Sequence, residues 1–223
     1  TNAELDRFAY VTSHDLRAPL RNVAVLADCV AEDLGDDLPA EVRGHLMMLR
    51  RRVKGLEELV EGILSYSRAR QQGDGDEEVD VWALVVEVAG MLTSAANAGS
   101  VSVREGMPVL RTARVPLQRV FLNLIGNALK HGVRPGQRAR VTVTARDVGE
   151  WWEFAITDEG PGIAPSAHER VWGMFQTASR DGIEGTGVGL AVVRRIVTAG
   201  GGTAWLESEE GRGASFRFTW PKG

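Results

Sequence analysis

The sequence predicts two folded units of different class, a helical hairpin followed by an α+β sandwich. Three features carry that reading: an unbroken 4-3 spacing of apolar residues over 42–63, an acidic, glycine-containing stretch at 73–78, and beyond it a mixture of period-two runs and helical runs. The bulk numbers agree, since 223 residues with 43% hydrophobic and 25% charged are ordinary for a globular chain of one large or two smaller domains.

From Leu5 to Leu34 the apolar positions Leu5, Phe8, Leu16, Leu20, Val23, Ala27, Val30 and Leu34 recur at helical spacing, with Pro19 as the one interruption. Gly35-Asp36-Asp37-Leu38-Pro39 then supplies a C-cap glycine, turn formers and a proline that starts the next helix. So short a join makes the two helices antiparallel neighbours. In the second, Val42, Leu46, Leu49, Val53, Leu56, Val60 and Ile63 form a bundle seam, which two hairpins bury by closing a four-helix bundle. Residues 1–72 are therefore expected to be a dimerisation module; packing of the stripe on the rest of the same chain is the alternative. Residues 73–80 read as a linker. The second unit, 81–223, is expected to place helices near 82–97, 115–132 and 187–200 beside antiparallel strands near 138–147, 151–157, 203–208 and 214–219, as one helix-covered sheet.

A formal charge of -4 gives no basic field for a phosphate backbone, so nucleic acid is not expected as a partner. No apolar run approaches the roughly 20 residues that cross a bilayer. The single cysteine, Cys29, suits a cytoplasmic location and reads as small apolar filler in a helix. The chain begins without methionine and in mid-helical pattern, which predicts a fragment whose upstream sensor domain is missing.

His14 sits within the first helix beside Asp15. An imidazole is largely neutral at pH 7 and attacks through one nitrogen, while a carboxylate holds the other nitrogen protonated; Pro19, which leaves the Asp15 carbonyl without its helical bond, offers the distortion this pairing needs. A solvated polar pair is the competing reading. In 121–131, Asn123, Asn127 and Lys130 share one helix face, with His131 beside them, opposite Phe121, Ile125, Ala128 and Leu129. Two amides and an ammonium suit a magnesium triphosphate, and a merely polar surface stripe is the alternative. Asp158-Glu159-Gly160-Pro161-Gly162 breaks a strand sharply; its glycines admit a flat ligand and the Asp158 carboxylate can accept from an exocyclic amine, although a tight turn uses the same pattern. Gly185-Thr186-Gly187-Val188-Gly189-Leu190 opens a helix, where free N–H groups face phosphate. It is neither a Walker A loop nor a dinucleotide fingerprint.

In this order the elements resemble the sensor histidine kinases over nearly the whole chain. His14 falls in the H box, Asn123 to His131 in the N box, Asp158, Gly160 and Gly162 in the first glycine box, Val171 to Phe175 in the F box, and Gly185 to Gly189 in the second glycine box; Gly211 to Phe216 is similar to the closing glycine motif. The resemblance implies a dimeric phosphoacceptor bundle and a Bergerat-fold ATP domain. By position it also implies Asn127 as magnesium ligand, Lys130 and His131 near the phosphates, and Asp158 on adenine. The wording around Phe8 to Leu16 resembles the phytochrome-type light-sensor kinases. Between Phe175 and Gly185 lies the expected ATP lid, 176–184, in which Arg180 reaches phosphate or is an incidental loop arginine.

The implied function is ATP-Mg-dependent autophosphorylation of His14, then transfer to an aspartate of a response-regulator receiver domain. Gyrase- and MutL-type hydrolases of the same fold carry a glutamate where this chain has Asn123, which disfavours hydrolysis. A non-catalytic scaffold is disfavoured by the intact His14, Asn127, Asp158 and glycine loops. One departure stands out: four residues after His14 many members carry Thr or Asn, and here the position is Ala18, so weak phosphatase activity toward the regulator is expected.

Overall fold

The computed structural model describes residues 19–33, 35, 39–71, 77–93, 99–134, 136–173 and 187–222, without the side chains at 40, 51 and 58–71. The first helix, α1, is described over 19–33, and α2 runs Ala40–Gln71. An ion pair between Asp28 and Arg50 links the two helices. Ala27 and Val53 are buried, yet Val23, Leu26, Val30, Met47, Met48 and Leu49 stay exposed on the single chain. Part of α2 also lies against the helices of the second unit described below, α4 and α5.

The second unit begins earlier than the sequence suggested. Residues 77–80, read as the end of a linker over 73–80, form β1 (Glu77–Asp80), which pairs antiparallel with β3 (Val109–Thr112). Helix α3 (Val81–Thr93) follows, its first turn held by the Asp80 carboxylate accepting from the Ala83 N–H. After β2 (Ser100–Val103) and β3 come α4 (Arg114–His131), β4 (Arg140–Asp147), β5 (Trp151–Asp158), α5 (Gly189–Ala199), β6 (Ala204–Ser208) and β7 (Ala214–Pro221).

The main sheet has five strands in the order β2-β4-β5-β7-β6. Its strands are antiparallel except for β2 and β4, which run parallel because the chain crosses over through β3 and α4 between them. The expectation of one antiparallel sheet is corrected in these two respects, a parallel edge pair and a separate two-stranded ribbon. Both involve four-residue strands, too short for a period-two pattern to register.

On β4, Val141 and Val143 point into the core. On β5, Phe154 and Ile156 point into the core; on β7, Phe216, Phe218 and Trp220 do. Phe121 on α4 meets Phe154 and Phe218 edge-on, both at 5.5 Å between centroids, and those two rings stack at 5.2 Å. Fully burying one such ring contributes about 1.5–3 kcal/mol. The trio pins α4 to the sheet, so the opposite face of α4 is held in a fixed place. The outer face of the sheet is polar: Glu153 pairs with Arg146 and Arg217, and Arg217 with Glu207, linking four strands. Among the described residues no helix is long and apolar enough to cross a membrane.

Candidate functional site

The apolar face of α4 turns Asn123 and Asn127 away from the core, and α5 brings Gly189 to meet them. A Cβ added at Gly189 would lie 2.7 Å from Asn123 Oδ1 and 3.9 Å from Asn127 Nδ2, so only glycine lets the start of α5 approach both amides. Asn123 Nδ2 donates to the Arg119 carbonyl at 2.8 Å, which fixes its amide against its own helix. One turn on, Lys130 is exposed and His131 half-buried. Burial, then the neighbouring Lys130 charge, lowers the His131 pKa, so this imidazole is neutral near pH 7.

Asp158 ends β5 and is only 5% exposed. Its Oδ1 accepts the Gly160 N–H at 2.9 Å and the Ala214 N–H at 3.2 Å. Among the described residues no donor serves Oδ2, so one carboxylate oxygen is anchored and the other is available to a ligand. Burial pushes the Asp158 pKa above the usual carboxylate value, against the two backbone hydrogen bonds that lower it.

The walls around this carboxylate are backbone. An added Cβ at Gly132, just past His131, would fall 2.4 Å from Asp158 Cβ, and one at Gly160 would fall 2.5 Å from Gly132 Cα. Gly162 takes φ +74 with Glu209 O 2.0 Å from where a Cβ would stand, so the turn after β5 nests against the β6–β7 turn. Gly187 also has positive φ, and the partly buried Leu190 packs against the core.

Asn123, Asn127 and Gly189 thus converge, and Asp158 and Gly160 gather at the end of α4 that carries Lys130 and His131. His14, Asp15, Phe175, Arg180, Gly185 and Thr186, with the predicted lid, lie outside the described residues. Gly132, Arg134, Ser208 and the Ala214 N–H were not anticipated. Gly132 alone had a sequence signal, a glycine directly after a helix end.

A helix-covered mixed sheet, with a buried aspartate leaving a central strand and paired helical asparagines against a glycine that starts the next helix, defines the Bergerat class of nucleotide-binding domain. Residues 112–223 match the family described as histidine kinase-, DNA gyrase B- and HSP90-like ATPase, and residues 4–72 match the His kinase A phosphoacceptor domain. Across 99% of its length the chain is 36% identical to the methanogenesis regulatory histidine kinase FilI of Methanothrix harundinacea, and across all of it 32% identical to cyanobacterial phytochrome A of a Nostoc species. It spans 25% and 29% of those two relatives. The full-length ShkA structure in complex with AMPPNP superposes with a TM-score of 0.61 at 30% identity, covering 96% of this chain and 45% of that one. The chain belongs to the sensor histidine kinases, as their phosphoacceptor and ATP-binding core.

Proposed function

We propose that this chain uses ATP-Mg to phosphorylate His14 and passes the phosphoryl group to an aspartate of a response-regulator receiver domain. The observation that carries the reading is at Asn123. Where a hydrolase of this fold needs a carboxylate to activate water, this position holds a neutral amide, already bonded to the Arg119 carbonyl. An amide takes no proton from water, so the acceptor is assigned elsewhere, to His14, whose neutral imidazole attacks through one nitrogen while Asp15 holds the other.

Within this reading Asp158 Oδ2 accepts the adenine exocyclic amine, with Gly160 and Gly162 bringing backbone to the base. Lys130, His131, Arg180 and the loop from Gly185 through Thr186, Gly187 and Gly189 to Leu190 face the triphosphate under Phe175 and the lid. The Asn127 amide oxygen is the ligand for Mg²⁺, an ion that neutralises phosphate charge during transfer. Asp15 orients His14. Residues 1–72 form the dimerising phosphotransfer unit and 77–223 the ATP-binding unit, within a cytoplasmic portion of a longer protein whose upstream domain senses the signal.

The direct test is incubation with γ-labelled ATP-Mg. Acid-labile, alkali-stable label on the protein is the expected result, and release of free phosphate alone would replace kinase by hydrolase. Asn127→Asp should lose magnesium-dependent turnover by about a hundredfold, because it alters charge and removes the amide donors where phosphate charge is crowded. Unchanged kinetics would move the metal elsewhere.

Leu56, half-buried on the single chain, belongs to the predicted bundle seam. Leu56→Asp should yield monomers in sedimentation, since a carboxylate in the bundle core has no partner. A dimer that survives this change would place the interface off the seam.

A further inference from the structure

Asp158 is held by two peptide N–H groups, and each of those peptides is gripped at its other end. The Gly160 N–H belongs to the same planar unit as the Glu159 carbonyl, and the Ala214 N–H to the same unit as the Gly213 carbonyl. Arg134 Nε donates to Glu159 O at 3.1 Å. Ser208 Oγ donates to Gly213 O at 2.7 Å, while accepting the Ile163 N–H at 2.8 Å. Arg134 also sends Nη2 to Gly160 O at 3.3 Å and Gly211 O at 2.5 Å, so one guanidinium spans the turn after β5 and the β6–β7 turn. The Gly211 N–H donates to Pro161 O at 2.7 Å across the same seam.

From this geometry we infer that Arg134 and Ser208 are positioning residues: by fixing the carbonyl ends of the Glu159–Gly160 and Gly213–Ala214 peptides they aim the Asp158 carboxylate at the base and set the preference for adenine. The inference rests on the reading of Asp158 as the adenine acceptor. A rigid peptide cannot swing its N–H while its oxygen is held, so Oδ1 stays anchored and Oδ2 keeps one direction. The forked guanidinium suits three carbonyls in two turns; an ammonium, a single point of donation, cannot reproduce the fork.

The test compares binding of ATP and of purine riboside triphosphate, which lacks the exocyclic amine, to wild type, Arg134→Ala, Arg134→Lys, Ser208→Ala and Ser208→Thr, with a thermal melt for each. Expected for Arg134→Ala and Ser208→Ala is ATP binding about tenfold weaker with the amine-free analogue nearly unchanged, so the preference for ATP collapses. Arg134→Lys should behave like the alanine variant, and Ser208→Thr, which keeps the hydroxyl, should restore the preference. Equal weakening of both nucleotides, or full rescue by lysine, would reduce these residues to general stability or charge and overturn the inference. Wild type that binds ATP with no preference over the analogue would instead overturn the reading of Asp158 and this inference with it.

Discussion

His14→Gln is expected to abolish autophosphorylation while ADP binds as in wild type. The carboxamide nitrogen of glutamine has its lone pair delocalised into the carbonyl and does not attack phosphorus, whereas an imidazole nitrogen does. The nucleotide contacts proposed here all lie on the second unit, so binding and chemistry separate cleanly. Two measurements check it, acid-labile label after incubation with γ-labelled ATP and titration calorimetry with ADP-Mg. Three other histidines are present: His45 exposed on α2, His131 at the end of α4, and His168, whose Nε2 lies 3.0 Å from the Ile163 carbonyl oxygen. Label that persists in the variant and maps to one of them would move the acceptor and sink the assignment.

Asp158→Asn should weaken ATP binding by about a hundredfold without unfolding the domain. The asparagine Oδ1 can still accept from the Gly160 and Ala214 N–H groups, which fixes the amide orientation and turns Nδ2 toward the ligand. A donor then faces the adenine amine, also a donor, in a buried site where each unpaired polar group costs about 1–3 kcal/mol. Acid does the same to wild type, because a proton on Oδ2 makes it a donor. Burial raises the Asp158 pKa, so ATP affinity should fall, as pH is lowered, at a higher pH than an ordinary aspartate would dictate, and the asparagine variant should lack that step. ATP affinity in Asp158→Asn equal to that of wild type would place the base elsewhere.

The helices and the four long strands were legible because each spans enough residues for its period to repeat. α4 shows this best: Phe121, Leu124, Ile125 and Ala128 are buried while Asn123 and Asn127 face outward, as the spacing dictates. β1, β2 and β3 escaped notice because four residues carry at most two inward positions each. The chemistry-bearing side chains were visible as types in a pattern, but the backbone that serves them was not. No composition rule tells that the Ala214 N–H reaches Asp158 across 56 residues of sequence, or that Gly132 must be small because Asp158 Cβ lies against it. Nothing in the sequence marks Arg134, since its partners are main-chain carbonyls, which every residue has.

The place of β7 in the sheet bears on how the protein is made. It is the last strand in the sequence yet sits in the interior of the sheet, between β5 and β6, and it supplies Phe218 to the aromatic trio and the Trp220 indole that donates to Thr112 at 2.9 Å. During synthesis β5 and β6 therefore wait without their shared neighbour, and Asp158 lacks one of its two backbone donors until Ala214 has left the ribosome. A premature stop ahead of β7 removes Ala214, Phe218 and Trp220 but leaves the sequence of α1 and α2 in place. On the proposed dimerisation through residues 1–72, such a product would pair with intact copies, so a truncation ahead of β7 would poison the wild-type pool rather than merely deplete it.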